Sequence, residues 1–145
     1  MTDSPFILVG KVFGIAAAAH NGQFRRDGKT PYIKHPMAVA DRVSKYGHEY
    51  VCVAYLHDVL EDTDVTAQDL LNQGIPSNIV EAVKDLTKEK GMHYSGYYFD
   101  EYLFTIKRNE LARRVKIADM LANLADDPTD KQIVKYSKGL QYLLD

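Results

Sequence analysis

Apolar residues recur at helical spacing along almost the whole chain, and no run alternates apolar with polar residues as a half-buried strand would. The first such stretch, Ile7 to His20, reads as a helix. A polar connection from Asn21 to Lys34 follows, broken by Gly22, Gly28 and Pro31. It is long for a loop in a compact domain, and loops of that kind tend to carry function. A second helix is expected from His35-Pro36 to Tyr46, stopped by Gly47, and a third from Glu49 to Leu60, dense in Val, Ala and Leu. Thr66 with Asp69 has the form of a capping box that opens a short helix ending near Gly74. Pro76-Ser77 opens another through Leu86, with Ile79, Val80, Val83 and Leu86 on one face. Gly91 to Gly96 reads as a turn or lid. Three more helices are expected over Tyr97–Lys107, Glu110–Leu124 and Asp130–Leu144, with Pro128 separating the last two. The pattern predicts an all-α chain, residues 1–145, folded as one irregular bundle of seven or eight short helices.

Composition changes this picture little. With 46% hydrophobic and 26% charged residues, a disordered or fibrous class is excluded. A formal net charge of −2 gives no overall attraction to nucleic acid or to an anionic membrane, so a polyanionic ligand needs a local basic patch. The apolar run Pro5 to Ala19 does not read as a targeting signal: Asp3 stands where a basic residue would precede it, and Lys11 interrupts it. It is also too short to span a bilayer. Cys52, the one cysteine, forms no internal disulfide and reads as a small buried hydrophobe, which fits a reducing compartment such as the cytoplasm.

Three short words carry chemistry: His35-Pro36, then His57-Asp58-Val59-Leu60-Glu61-Asp62-Thr63, then Lys116 to Asn123. If Val51 to Asp62 is one helix, Glu61 and Asp62 stack a turn beyond the His57-Asp58 pair on the same flank. Carboxylates crowded at the end of an apolar run repel one another and are costly to desolvate. A divalent cation removes that difficulty, and mixed nitrogen and oxygen donors suit Mn²⁺, Mg²⁺, Fe²⁺ or Zn²⁺. The plainer alternative is a solvated acidic helix end. Asp119 lies in an apolar setting with Asn123 four residues on, and there the plainer alternative is a salt bridge to Lys116 or Arg113. His20 closes the first helix, as an active-site hydrogen-bonding group or as a polar helix end. His48 and His93 sit in polar surroundings and receive no role.

The order His … His-Asp … Asp resembles that of the HD superfamily of helical metal-dependent phosphohydrolases. More closely, the chain is similar to the hydrolase domain of the RelA/SpoT family, which removes the 3′-pyrophosphate from (p)ppGpp, and to its small stand-alone relatives. The matching text is Ala19 to Pro36, Ala54 to Thr63, Leu86-Thr87-Lys88, Val115 to Asp119, and Asn123. The resemblance implies that His35, His57, Asp58 and Asp119 hold the metal, Mn²⁺ foremost, and that Glu61 and Asp62 position and activate the attacking water. It implies further that Arg25 and Arg26 pack near the nucleotide base and that Asn123 meets ribose or phosphate. Lys29 and Lys34 add positive potential to the same loop, unless the loop is simply solvated.

The implied function is that of a guanosine 3′,5′-bis(diphosphate) 3′-pyrophosphohydrolase, with a small-molecule nucleotide as partner, no nucleic acid and no membrane. The oligomeric state stays open. Alternatives are an HD-type phosphatase of a nucleoside monophosphate, a dNTP or NADPH, or a non-catalytic nucleotide-binding module. No room exists in these residues for a synthetase domain, so no pyrophosphokinase activity is expected of them. Tyr94 to Leu111 and Lys135 to Leu144 look more like small uncharacterised HD proteins. Most of their tyrosines are expected to pack core and helices; lining a base pocket is the alternative.

Overall fold

The computed structural model describes residues 3–92 and 96–145. Among them, β-pairing is confined to one isolated antiparallel bridge between Phe24 and Pro31 in the first loop. Helix α1 (Pro5–Ala19) starts where the Ser4 hydroxyl accepts the Ile7 N–H at 3.3 Å, and it buries Leu8, Val12 and Ala16, one residue per turn. Helix α2 (Lys34–Val43) tightens into a 3₁₀ turn over Ser44–Tyr46 and stops at Gly47, whose φ of 124° few side chains tolerate.

The helix expected from Glu49 to Leu60 is two helices, α3 (His48–Leu56) and α4 (Val59–Asp62), with His57 and Asp58 in the break. The cause is local. The Ala54 carbonyl receives the His57 N–H at 3.4 Å, only three residues back, and also His57 Nδ1 at 2.6 Å. The turn tightens, Asp58 settles at φ −106° and ψ −2°, and the helix then resumes with the Asp62 N–H bonding to the Asp58 carbonyl. Neighbouring residues that a straight helix would splay apart can therefore serve one site.

Helix α5 (Ala67–Asn72) carries the expected Thr66/Asp69 capping box, and α6 (Ser77–Leu86) buries the expected face. Of the expected Gly91–Gly96 turn, residues 93–95 lie outside the described residues. The helix expected over Tyr97–Lys107 opens as a π-helical stretch, Tyr98–Leu103, before continuing as α7 (Phe104–Lys107). There the adjacent Tyr102 and Leu103 are both buried, and the Tyr102 hydroxyl donates to the Leu86 carbonyl at 2.6 Å. Helices α8 (Glu110–Leu124) and α9 (Asp130–Leu144) begin at side-chain caps, Asn109 for the first and a Thr129/Gln132 box for the second. With α3–α4 and the π stretch with α7 each taken as one bent helix, the described residues form eight helices.

Helix α3 lies at the centre, packed on α1, α2, α6 and α8, and α8 packs in turn on α2, α6, α7 and α9. Val53, Leu56, Ile79, Val83 and Met120 are fully buried between them, as is Cys52, whose thiol burial pushes up to about 11. No described helix is long and apolar enough to cross a membrane.

Candidate metal centre and its cleft

Four side chains from three separate stretches of the sequence meet where α2, the α3–α4 break and α8 come together. His35 sits in the first turn of α2, His57 and Asp58 form the break, and Asp119 lies midway along α8. His35 Nε2 is 2.6 Å from Asp119 Oδ1. His57 Nε2 is 3.0 Å from Asp58 Oδ2 and 3.3 Å from Asp119 Oδ1. The ligand atoms of His35, His57 and Asp58 all lie within 4.8 Å of one another. His35, His57 and Asp119 are buried.

The tautomer of His57 follows from its surroundings. A carbonyl oxygen only accepts, so Nδ1, at 2.6 Å from the Ala54 oxygen, carries the hydrogen, and in the neutral ring Nε2 presents its lone pair. That Nε2 is fully buried and makes no hydrogen bond in spite of the carboxylates beside it. A lone pair facing carboxylate oxygens in a buried pocket calls for a cation. Backbone bonding through the far ring nitrogen is also the usual way an imidazole ligand is oriented. The nitrogen and oxygen donor set fits a borderline or hard divalent ion.

Charge in the cluster is held by specific partners. Asp119 divides its oxygens: Oδ2 accepts from Lys116 Nζ at 3.0 Å, and Oδ1 faces both histidines. Burial would raise its pKa, but the Lys116 ammonium and the two imidazoles hold it well below the usual carboxylate range. Asp58 Oδ2 accepts from the Tyr32 hydroxyl at 2.6 Å. Burial opposes ionisation of the His57 ring, yet the Asp58 and Asp119 carboxylates draw it toward its charged form. The pocket favours positive charge.

Glu61 and Asp62, on α4, border the same cavity of about 170 Å³, together with Arg25, Tyr32, Lys88, Lys116, Asn123 and Tyr136. Glu61 Oε1 accepts the Lys88 backbone N–H at 2.7 Å, which fixes its carboxylate. The Asp62 carbonyl accepts from Gln23 Nε2 at 2.9 Å, and Gln23 in turn bonds His20 Nδ1 at 2.8 Å. His20 is therefore buried in the wall behind the site, its ring tilted 44° to that of Tyr32 with centroids 4.9 Å apart.

Partial burial, then the Asp58 and Glu61 charges, push the Asp62 carboxyl up to about 6 from 3.8. A group whose pKa is raised by folding adds stability below its unfolded value, and that contribution is lost as pH rises through its folded value. Asp62→Asn removes the penalty. Without added metal, its thermal midpoint is expected to exceed the parent's at about pH 7.5 and to match it near pH 4. A lower midpoint for the variant at the higher pH would contradict the assignment.

The basic loop closes over the other side. Arg25 Nη2 bonds Asn123 Oδ1 at 3.3 Å and Asp126 Oδ2 at 3.1 Å, with its guanidinium 5.7 Å above the Tyr32 ring. Arg26 bonds Gln132 and the carbonyls of Asp126 and Asp127, which straps the loop to the α8–α9 connection. A second cavity of about 540 Å³ opens there, lined by Arg26, Lys34, Thr129 and by Arg25 and His35, the two residues common to both cavities. Lys29 is not brought to either cavity. It is exposed, and its backbone N–H donates to Asp27 Oδ1 within the loop's own turn, so Lys34 supplies the cation facing the larger cavity.

Sequence reading missed several residues of the cleft. Tyr32 carried a faint signal, three residues before His35 and so about one turn away. Lys88 stood within a matching stretch but received no role, and Tyr102 and Tyr136 carried no signal of their own, because each arrives from a different element. Tyr102 and Tyr136 were expected as packing residues; both line the cleft, and Tyr102 also packs in the core.

Among known proteins, the family profile described as HD domain matches residues 13–129. A guanosine-3′,5′-bis(diphosphate) 3′-pyrophosphohydrolase of Haemophilus influenzae is 36% identical over 117 residues, 76% of this chain and 17% of that protein. The chain thus spans about a sixth of that relative's length. The enzyme of the same description named MESH1, from Danio rerio, is 33% identical over 131 residues, 87% of this chain and 72% of that protein. A solved structure described as a metazoan ortholog of SpoT superposes with a TM-score of 0.80 at 24% identity, over 99% of this chain and 88% of that one. At that identity the likeness is one of fold.

Proposed function

The chain belongs to the HD domain family, and on that premise we propose that it is a divalent-metal-dependent phosphohydrolase of a nucleotide, with guanosine 3′,5′-bis(diphosphate) as first substrate. One observation carries the reading: the donor atoms of His35, His57, Asp58 and Asp119 converge beside the Glu61 carboxylate in a cleft that also holds Arg25, Lys88 and Asn123.

Those four side chains would hold the cation; their mixed imidazole and carboxylate donors suit several divalent ions, of which the resemblance to the RelA/SpoT hydrolases puts Mn²⁺ first. When bound, such an ion neutralises phosphoryl charge and makes water a nucleophile at neutral pH. The remaining work falls to the protein. Glu61, fixed by the Lys88 backbone, accepts the proton of the attacking water, and Asp62 orients that water. The new oxygen–phosphorus bond forms as the bond from phosphorus to the ribose 3′-oxygen breaks. The 3′-oxygen leaves with the electron pair and takes up a proton, and pyrophosphate is released. Arg25, 5.7 Å from the centre of the Tyr32 ring, offers a planar cation to base or phosphate, and Asn123 a neutral hydrogen-bonding partner.

The test is phosphate and pyrophosphate release with Mn²⁺ from a panel of guanosine polyphosphates, nucleoside monophosphates, dNTPs and NADPH. Pyrophosphate from guanosine 3′,5′-bis(diphosphate) with the highest kcat/KM is expected. Absence of turnover across the panel by protein carrying stoichiometric metal would overturn the proposal.

A further inference from the structure

Three of the four side chains at the metal centre are held from behind, each by a different kind of group. The Ala54 carbonyl orients His57 through Nδ1, the Lys116 ammonium holds Asp119 Oδ2, and the Tyr32 hydroxyl holds Asp58 Oδ2 at 2.6 Å. Ala54 and Lys116 stand three residues from the side chains they hold. Tyr32 does not. It comes from the first loop, 26 residues before Asp58.

Asp58 has little else to fix it. It sits in the break between α3 and α4, where no helical turn sets its direction. His57 Nε2, 3.0 Å from the same oxygen, has no hydrogen to give in the neutral ring. The Tyr32 hydroxyl is then the one donor to that carboxylate among the described residues. Tyr32 is itself braced. Its N–H donates to the Gln23 carbonyl at 2.8 Å, and its carbonyl accepts the His35 N–H at 3.0 Å. Its ring has the His20 ring at 4.9 Å and the Arg25 guanidinium at 5.7 Å. Backbone and ring together aim the hydroxyl at Asp58, and a hydrogen bond behind a ligand governs how well that ligand meets an ion.

We propose that Tyr32 is a positioning residue of the metal centre: its hydroxyl fixes the Asp58 carboxylate in the orientation that receives the cation, so a residue of the first loop sets how tightly the ion is held. The inference rests on the metal site of the phosphohydrolase reading and on no step of its chemistry. Because Tyr32 also lines the cleft, direct contact with substrate is the rival role.

The probe is Mn²⁺, titrated into the metal-free full chain and into Tyr32→Phe, with unbound ion counted by its electron paramagnetic resonance signal. The variant keeps the ring beside His20 and Arg25 and loses only the hydroxyl. Its dissociation constant for Mn²⁺ is expected to rise about tenfold. The gain in thermal midpoint that a fixed Mn²⁺ concentration gives should shrink accordingly, a readout that holds even if the variant starts from a lower midpoint. With a nucleotide that is turned over, half-activation should need about tenfold more Mn²⁺, while KM and kcat at saturating ion return to within about threefold of the parent's. A tyrosine that only packs would leave the Mn²⁺ affinity unmoved. Affinity within about twofold of the parent's would overturn the role, and an accompanying rise in KM at saturating ion would assign Tyr32 to the substrate instead. The two proposals fail separately. Mn²⁺ binding that depends on the hydroxyl, with no nucleotide hydrolysed, would sink the enzymatic reading and leave the positioning role. Hydrolysis with Mn²⁺ affinity indifferent to the hydroxyl would do the reverse, and Mn²⁺ bound by neither protein would end both.

Discussion

Asp119→Asn is expected to abolish turnover and to destabilise the fold by about 3–5 kcal/mol together. One carboxylate serves both ends: Oδ1 faces the two histidines and Oδ2 holds the buried Lys116 ammonium at 3.0 Å. Its neutral replacement leaves that ammonium buried without a counter-charge, and it removes a negative donor from the metal site. Equilibrium urea unfolding, initial rates and bound-metal content read the three consequences. Adding Lys116→Met to the same chain should restore most of the stability and none of the activity, since the stranded charge is gone and the ligand is not replaced. A single variant that unfolds like the parent and still carries metal would show that Asp119 holds neither partner.

Glu61→Gln separates chemistry from structure. The side chain is exposed, and its one hydrogen bond among the described residues is accepted by Oε1 from the Lys88 N–H, which an amide oxygen accepts equally well. Stability and metal content should therefore stay near the parent's, while loss of the proton acceptor should cut kcat by about 10²–10⁴-fold. Activity within tenfold of the parent would remove Glu61 from the role of base and leave Asp62 as the candidate.

Much of this was legible in the chain before any coordinates. Helices α6, α8 and α9 follow from apolar spacing, with polar side-chain caps at the first turns of α8 and α9, because there the local preference and the burial pattern agree. The break at His57–Asp58 was not legible: Val53-Ala54-Tyr55-Leu56 continues smoothly as helix into Val59-Leu60, and the interruption comes from an imidazole competing for a backbone carbonyl. The π-helical stretch escaped for a like reason, its widened turn being set by the burial of Tyr102 and Leu103 rather than by their own preferences.

At the site, a charge in an apolar run marked Asp119; the salt bridge to Lys116 is formed through one oxygen, and the other oxygen faces the two histidines. Residues whose role depends on partners from other elements, such as Tyr102 and Tyr136, left no pattern along the chain. The basic loop was legible as a loop, but which of its cations faces a cavity was decided by the turn at Asp27, which sends Lys29 outward and leaves Lys34 at the wall.

The convergence of two imidazoles and two carboxylates on one ion is tested most directly by anomalous diffraction from crystals grown with Mn²⁺. The expected result is a single strong peak about 2.0–2.3 Å from the facing atoms of His35, His57, Asp58 and Asp119. A map with no peak among these four residues, or with the ion held elsewhere on the chain, would contradict it.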